Sequence, residues 1–199
     1  MRHNQLVPDT VSPTQAAPLH PPEWLGESKL PDGAVVRFRH VQAEDESLIG
    51  AAINSASRET LLHRFFSPIR RVGADQLRRM LVFDPKRETC IVGVSVANGS
   101  TRIVCGARYV KLDSPDTAEI AITVHDDFQH RGLGACSLRL LARLALADRV
   151  KQFEAEILSS NLKMLNLVRK LTRGQASGHW TGDVYHVEMP VSVLAAGEI

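Results

Sequence analysis

The segment 88–112 constrains the fold most strongly, because it predicts two long strands joined by a tight turn. Its halves, ETCIVGVSVAN and TRIVCGARYVKL, alternate between apolar and polar residues on either side of the Asn98-Gly99 turn. Side chains of a β-strand point to opposite faces at every second residue, so alternation over such a length predicts strands with one buried face. Asn-Gly is preferred in two-residue hairpin turns because both positions take a positive φ. We therefore expect an antiparallel sheet built around this hairpin.

Patterns on both sides of the hairpin complete the expected fold. A third strand, 117–124, follows a Ser-Pro-Asp turn, and segments with helical periodicity flank the strands. The other expected elements are strand 34–41, helices 42–57, 58–68 and 73–83, helix 133–151, strand 152–158, helix 161–171 with Asn161 as its N-cap, and strand 183–193. This order predicts an α+β fold with a mixed, mostly antiparallel sheet flanked by helices.

The N-terminal segment 1–32 differs in composition from the rest of the chain. It is rich in proline and has few periodic apolar residues. Such a segment is expected to be an extended or disordered tail, with Trp24 and Leu25 as a local anchor on the domain. The remaining residues, 33–199, are expected to form one domain, and the apolar fraction of 44% is sufficient for its core.

Bulk composition argues against several classes of protein. A net charge of +2 does not indicate a nucleic-acid-binding polyelectrolyte. No apolar run is long enough to span a membrane and the N-terminus lacks a signal core, so a cytoplasmic location is expected. The three cysteines lack the spacing of a zinc site, which predicts a reducing compartment and no structural metal. Nothing in the sequence indicates an oligomeric state.

The loop FQHRGLG, 128–134, places two glycines between a strand and a helix. The first amides of a helix have no internal partner and lie at the positive end of its dipole, so they bind anions when no side chain blocks the approach. A phosphate-binding loop is therefore expected, formed by Gln129, His130, Arg131, Gly132, Leu133, Gly134 and Ala135. A dinucleotide-binding loop does not fit, since Ser137 stands where the third glycine is needed, and no P-loop lysine follows. From these residues alone, a helix start that only needs a tight turn stays open.

The surrounding stretch VHDDFQHRGLGACSLRLL, 124–141, closely resembles the acetyl-CoA motif of the GNAT superfamily of N-acetyltransferases, Gln/Arg-x-x-Gly-x-Gly/Ala. Gln129, Gly132 and Gly134 match that motif position by position, and the order of strands and helices agrees with the GNAT fold. The stretch SRETLLHRFFSP, 57–68, is similar to a segment typical of bacterial protein-lysine acetyltransferases. The resemblance implies an acetyl-CoA-dependent N-acetyltransferase. Its first expected acceptor is a protein lysine, with substrate contacts at Phe65 and Phe66.

The resemblance also implies how the co-substrate lies. Strands 117–124 and 152–158 should part after a bulge and leave backbone groups without partners. The main-chain groups of Ile122, Thr123 and Val124 would then bind the pantetheine amides, as an added strand would. Asn161 matches an asparagine that lies near the pantetheine arm at a helix start.

Glu119 is the candidate general base. An amine must lose a proton before it attacks a thioester, so a proton acceptor or a desolvating site is required. In TAEIAITV, 117–124, Glu119 shares a strand face with the small residues Ala121 and Thr123, which would leave room for a substrate. Burial near Phe65 or Phe66 would raise its pKa. A solvent-facing glutamate is the alternative. In the resembling protein acetyltransferases, a Glu at the matching position acts as the base.

Two departures from the family pattern concern the leaving group and the last hairpin. Many members of the family have a tyrosine two turns into the helix that starts at Asn161, and it protonates the leaving thiolate. The matching position in this sequence is close to Val168, so Ser159, Ser160 or water would have to supply that proton. The usual Gly-Phe pair is absent from KLTRGQASGHW, 170–180, which puts the final hairpin in doubt.

Other functions and other candidate residues stay open beside this assignment. The alternative functions are acetylation of a small amine, such as an amino acid, a polyamine or an antibiotic, and a non-catalytic acyl-CoA-binding domain. His125 and His130 are expected to be loop histidines. No acyl-cysteine at Cys136 is expected.

Overall fold

The computed structural model describes residues 23–69, 71–82, 84–97 and 99–197, which fold around one twisted sheet. Within these residues the sheet has the strand order β1-β2-β3-β4-β5-β6-β8-β7. The strands are β1 Trp24–Lys29, β2 Val35–His40, β3 Glu88–Ala97, β4 Ser100–Lys111, β5 Thr117–Val124, β6 Gln152–Leu158, β7 Ser177–Thr181 and β8 Val184–Pro190. All neighbouring strands pair antiparallel except β5 and β6, which pair parallel. The mixed, mostly antiparallel α+β fold expected from the sequence is confirmed.

Helices cover both faces of the sheet. They are α1 Glu46–Ser55, α2 Arg58–Phe65, α3 Ala74–Leu81, α4 Leu133–Ala147, α5 Leu162–Leu171 and α6 Val191–Ala195, with short 3-10 turns at Ala43–Asp45 and Asp126–Phe128. The larger core lies under α4, where Leu138 and Leu141 pack against strand residues such as Phe38 and Phe153. A smaller core on the opposite face is formed by Val41, Val92, Val94 and Ile103 and is covered by α1 and α3. No helix of the described ranges is both long enough and apolar enough to cross a membrane.

The main differences between the expected and observed elements lie at the two ends of the chain, although the expected helix 133–151 also ends early, at Ala147. The sheet begins with β1, an edge strand inside the segment 1–32 that was expected to be a tail; residues 1–22 of that segment lie outside the described residues. The predicted strand 183–193 is wrong after Pro190, because residues 191–195 form α6. The strand β7 was not predicted, since all of its residues are exposed and it has no apolar alternation. The final hairpin that the sequence left in doubt is therefore present.

The strands β5 and β6 part after a short paired stretch. Only Thr117, Ala118 and Glu119 have partners on β6, and beyond this point β6 continues along β8 while β5 continues along β4. The register between β4 and β5 is unbroken, so the expected bulge is not in β5. Register shifts fall instead between β3 and β4, at Gly93 and Val94, and between β1 and β2, at Trp24 and Gly26. The parting leaves one backbone edge of β5, after Glu119, without a strand beside it.

Candidate active site

A cleft of about 380 Å³ opens where β5 and β6 part. It is walled by α2, by the end of β5, by the loop before α4 and by α5. Of the residues expected to bind the co-substrate, those that line it are Ile122, Thr123, Val124, Gln129, His130, Gly132, Leu133, Gly134, Ala135 and Asn161. The sequence pattern therefore located one continuous cleft, although the residues come from three separate segments of the chain.

The loop before α4 has the backbone geometry of an anion site. Gly132 is the N-cap of α4 and has φ +88°, and His130 also has a positive φ, of 60°. Only glycine adopts such angles without a steric penalty, so the turn at Gly132 requires it. The following amides point into the cleft with no helical acceptor. Gly134 serves a different purpose, because a Cβ there would lie 3.2 Å from the Cδ2 atom of Leu167. Its missing side chain lets α4 pack closely on α5.

Two side chains expected in the phosphate cradle are engaged elsewhere. The Gln129 amide donates to the Val124 carbonyl at 3.2 Å and to the Thr60 hydroxyl at 3.1 Å, and its oxygen accepts from Lys163 at 2.9 Å. Gln129 therefore braces the cleft wall. Arg131 does not line the cleft; its guanidinium forms an ion pair with Asp32 at 2.5 Å. The sequence could not reveal this pair, because Asp32 is brought close only by the fold.

The cleft is basic. His63, Arg139, Lys163 and Lys170 line it, and Glu59 is the single carboxylate found among the described lining residues. A groove with excess positive charge attracts polyphosphate ligands and strengthens their binding. Sequence reasoning missed these cations because they lie on the helices α2, α4 and α5, not in the glycine loop. Lys163 could have been predicted from the sequence, because it lies two residues after Asn161, which was expected at the cleft. The Asn161 side chain caps α5 by accepting from the Met164 amide.

Glu119 lies where the pairing of β5 and β6 ends, but it is not among the residues that line the cleft. Its register partners are Val110 on β4 and Glu154 on β6. It is exposed, so the expected burial beside Phe65 or Phe66 is wrong. Phe66 lies at the end of α2 and is itself 40% exposed. Helix α2 lies along β5, and Arg64 on this helix is close enough for its charge to interact with that of Glu119, but the Glu119 side chain stays exposed.

A second cavity adjoins the cleft on the α1 and α2 side. This side cavity has a volume of about 130 Å³ and lies between those helices and the face of β3, β4 and β5. Most of its walls are apolar, from Ile49, Ile53, Leu61, Phe65, Val92 and Ile103. Arg64 and Thr123 line both the side cavity and the cleft, so they mark the passage between them. The small residues Ala121 and Thr123, which the sequence analysis expected to leave room for a substrate, both line this cavity.

The carboxylate of Asp126 holds the first turn of α2 in place over the cleft through hydrogen bonds. That carboxylate accepts from the Ser57 amide at 2.7 Å, from the Ser57 hydroxyl at 2.7 Å and from the Thr60 hydroxyl at 2.8 Å. Partial burial would raise the pKa of Asp126, but these hydrogen bonds outweigh it and lower the pKa. Further along α2, His63 Nε2 lies 3.0 Å from the Ser160 hydroxyl on the other side of the cleft.

The cysteines are in the wrong state for covalent catalysis. Burial raises the pKa of Cys90 to about 11 and that of Cys105 to about 12, and it also raises the pKa of Cys136. The nucleophile in such chemistry is the thiolate, which these environments disfavour at neutral pH. His125 is buried as well, with its Nε2 atom 3.1 Å from the Ser55 hydroxyl.

Comparisons with known proteins give a consistent result. The family described as "Acetyltransferase (GNAT) family" matches residues 56–172. An acetyltransferase of Pseudomonas aeruginosa is 28% identical over 144 residues, which cover 72% of this chain and 76% of that protein. The acetyltransferase Pat of Mycolicibacterium smegmatis is 31% identical over 116 residues, 58% of this chain but only 34% of that longer protein. Among solved structures, the GNAT domain of S. lividans PAT superposes with a TM-score of 0.72 at 23% identity, covering 83% of this chain and 96% of that domain.

Proposed function

Because this chain belongs to the GNAT family, whose members transfer acetyl groups from acetyl-CoA to amines, we propose that its acceptor is a protein lysine and that Glu119 is the general base. The observation that carries this proposal is the exposure of Glu119 at the point where β5 and β6 part. A base at an open edge of the sheet can be reached by a lysine that projects from the surface of another protein. The similarity to a protein named acetyltransferase Pat agrees with this choice.

The cleft fits acetyl-CoA on three independent grounds. The positive φ of Gly132 presents the first amides of α4, and the basic residues of the cleft supply counter-charge for a diphosphate. The backbone edge of β5 that faces the cleft after Glu119 offers amide and carbonyl groups to an extended pantetheine chain. Bound in this way along β5, the co-substrate would present its activated acyl group on the same strand as Glu119.

The residues of this chain then perform proton transfer and positioning. Glu119 accepts the proton that the attacking amine loses as the new C–N bond forms and the C–S bond breaks. A backbone amide near Val124 stabilises the negative charge that develops on the carbonyl oxygen. The departing thiolate needs a proton. Val168, at the position where the family has a tyrosine, is buried and has no acidic group that could supply it. We assign this step to the Ser160 hydroxyl, which His63 holds at 3.0 Å.

A matched pair of glutamate variants tests the role of Glu119. Glu119→Gln is expected to lower kcat for a lysine-containing peptide about a hundredfold, the usual effect of losing a base, and to leave coenzyme A affinity unchanged. Glu154→Gln, which alters the register partner of Glu119 on β6, is the control and is expected to keep most of the activity. Thiol release measures turnover, and calorimetry measures coenzyme A binding. If Glu154→Gln shows the large loss instead, Glu119 is not the base.

The acceptor is tested with the unaltered protein. Lysine peptides, a polyamine and an amino acid are compared at equal concentrations with acetyl-CoA. We expect the highest kcat/KM for the lysine peptides. Faster turnover of either small amine would refute the assignment of a protein acceptor and leave the acetyltransferase activity intact.

A further inference from the structure

The side cavity contains hydrogen-bond donors that have no partner. Two buried side-chain atoms of the described residues lack a hydrogen bond, Arg108 Nε and Thr123 Oγ1, and both residues line this cavity. Buried polar groups are almost always satisfied, because an unmade hydrogen bond costs the full desolvation of the group. Two such groups on one cavity therefore indicate a ligand that supplies the missing partner.

Arg64 adds an unpaired positive charge at the same place. Its side chain is half-buried at the passage between the side cavity and the cleft, and it forms no ion pair or hydrogen bond with any described residue. The nearby Arg108 is already paired with Glu88. No aspartate or glutamate of the described residues lines the cavity. Burial lowers the pKa of the Arg64 guanidinium, and the neighbouring Arg108 cation lowers it further, while the charge of Glu119 opposes the shift.

The chemistry of these groups defines the ligand. Arginine only donates, so Arg64 and Arg108 Nε require an acceptor oxygen, and the Thr123 hydroxyl is free to donate to the same group. The remaining walls are apolar, with Ile49, Ile53 and Phe65 among them. A ligand that satisfies both features has a short apolar body and a carboxylate, since a guanidinium pairs best with a planar carboxylate.

We propose that the side cavity binds a carboxylate attached to a short apolar group, with Arg64 as its principal partner. The proposal rests on the proposed function only in that the ligand is part of one of the two substrates of the transferase; a dicarboxylic acyl group would be transferred beside acetyl, and an amino-acid acceptor would take the place of the protein lysine. The cavity opens beside Ala121 and Thr123, next to the strand edge expected to hold the thioester. The carboxylate therefore belongs either to the acyl group, as in a dicarboxylic acyl thioester, or to the acceptor, as in an apolar amino acid.

Binding measurements distinguish the two sources without requiring turnover. In the first arm, calorimetry compares succinyl-CoA with butyryl-CoA, which has the same number of acyl carbons and no carboxylate. In the second arm, protein saturated with coenzyme A is titrated with leucine and with isopentylamine, which lacks the carboxylate of leucine. In one of these arms the carboxylate is expected to tighten binding about tenfold or more, in line with a charge-assisted hydrogen bond.

Variants on α2 assign the effect to Arg64. Arg64→Gln is expected to reduce the preference for the carboxylate to less than about twofold, whereas Arg58→Gln, an exposed arginine on the same helix, leaves it unchanged. Thr123→Val keeps the shape of its side chain and is expected to reduce the preference partly. If Arg64→Gln fails to fold, the loss of carboxylate preference in Thr123→Val still tests the proposal. Thermal unfolding checks that each variant is folded.

Each outcome decides between the alternatives. The proposal is overturned if neither arm shows a preference for the carboxylate, or if Arg64→Gln weakens coenzyme A itself as much as succinyl-CoA, because Arg64 would then serve the cleft. Failure of the proposed function has a different signature, since it appears as absent peptide acetylation by the unaltered protein while the binding preference persists.

Discussion

Asp126 is the residue whose loss should affect stability and activity together. Its carboxylate accepts three hydrogen bonds from Ser57 and Thr60, at 2.7 to 2.8 Å, and so fastens the start of α2 to the loop after β5. A hydrogen bond contributes about 1 kcal/mol net, and contact of this partly buried group with water reduces the sum. Asp126→Ala is therefore expected to lower the free energy of unfolding by about 2 kcal/mol, or Tm by about 4–8 °C for a chain of this size.

Asp127→Ala provides the matched control in the same turn. The Asp127 carboxylate is 64% exposed and lies 3.5 Å from Arg102, so its removal is expected to cost less than about 1 kcal/mol. Thermal and urea unfolding measure both variants. Asp126→Ala should also lower turnover, because α2 carries His63 and Arg64 along the cleft. Equal stability losses in the two variants would refute the fastening role of Asp126.

The pH dependence gives an independent check on the sign of this argument. The pKa of Asp126 is lower in the folded protein than the value of about 3.9 in an unfolded chain. Its contribution is therefore fully present above about pH 4 and is lost as pH falls through the folded pKa. The difference in unfolding free energy between the unaltered protein and Asp126→Ala should shrink below about pH 4. A difference that grows in acid contradicts the lowered pKa.

Three further predictions concern the loop, the leaving group and the thiols. Gly132→Ala should lower the free energy of unfolding by about 1 kcal/mol, because of the positive φ at this position, and should weaken coenzyme A binding. The control Gly99→Ala, with φ +74° in a remote hairpin, should cost a similar free energy of unfolding and leave coenzyme A binding unchanged. Thermal unfolding measures the stability and calorimetry measures the binding. Ser160→Ala should lower kcat about tenfold or more if it protonates the thiolate, and Ser159→Ala should not; equal rates would assign that proton to water. Cys136→Ala should retain turnover, and an inactive but folded variant would indicate a covalent pathway.

Local patterns explain why much of the fold was predictable. Strand alternation placed β5 and β6 at 117–124 and 152–158, where the structure has them, because the period of a strand depends on the chain alone. The N-cap role of Asn161 was also predicted, since its side chain bonds to an amide only three residues away. The strand β7 escaped prediction because an edge strand with both faces exposed has no apolar pattern to detect.

The sequence by itself determined the features that depend on neighbouring residues: the strand and helix order between β2 and β6, and the backbone turn that only glycine allows at position 132. The tertiary structure alone decided which distant groups meet. It paired Arg131 with Asp32, left Glu119 exposed, and enclosed the side cavity with Arg64 and Thr123 at its entrance. Burial and charge pairing arise from the packing of segments far apart in the chain, and for that reason no local pattern contains them.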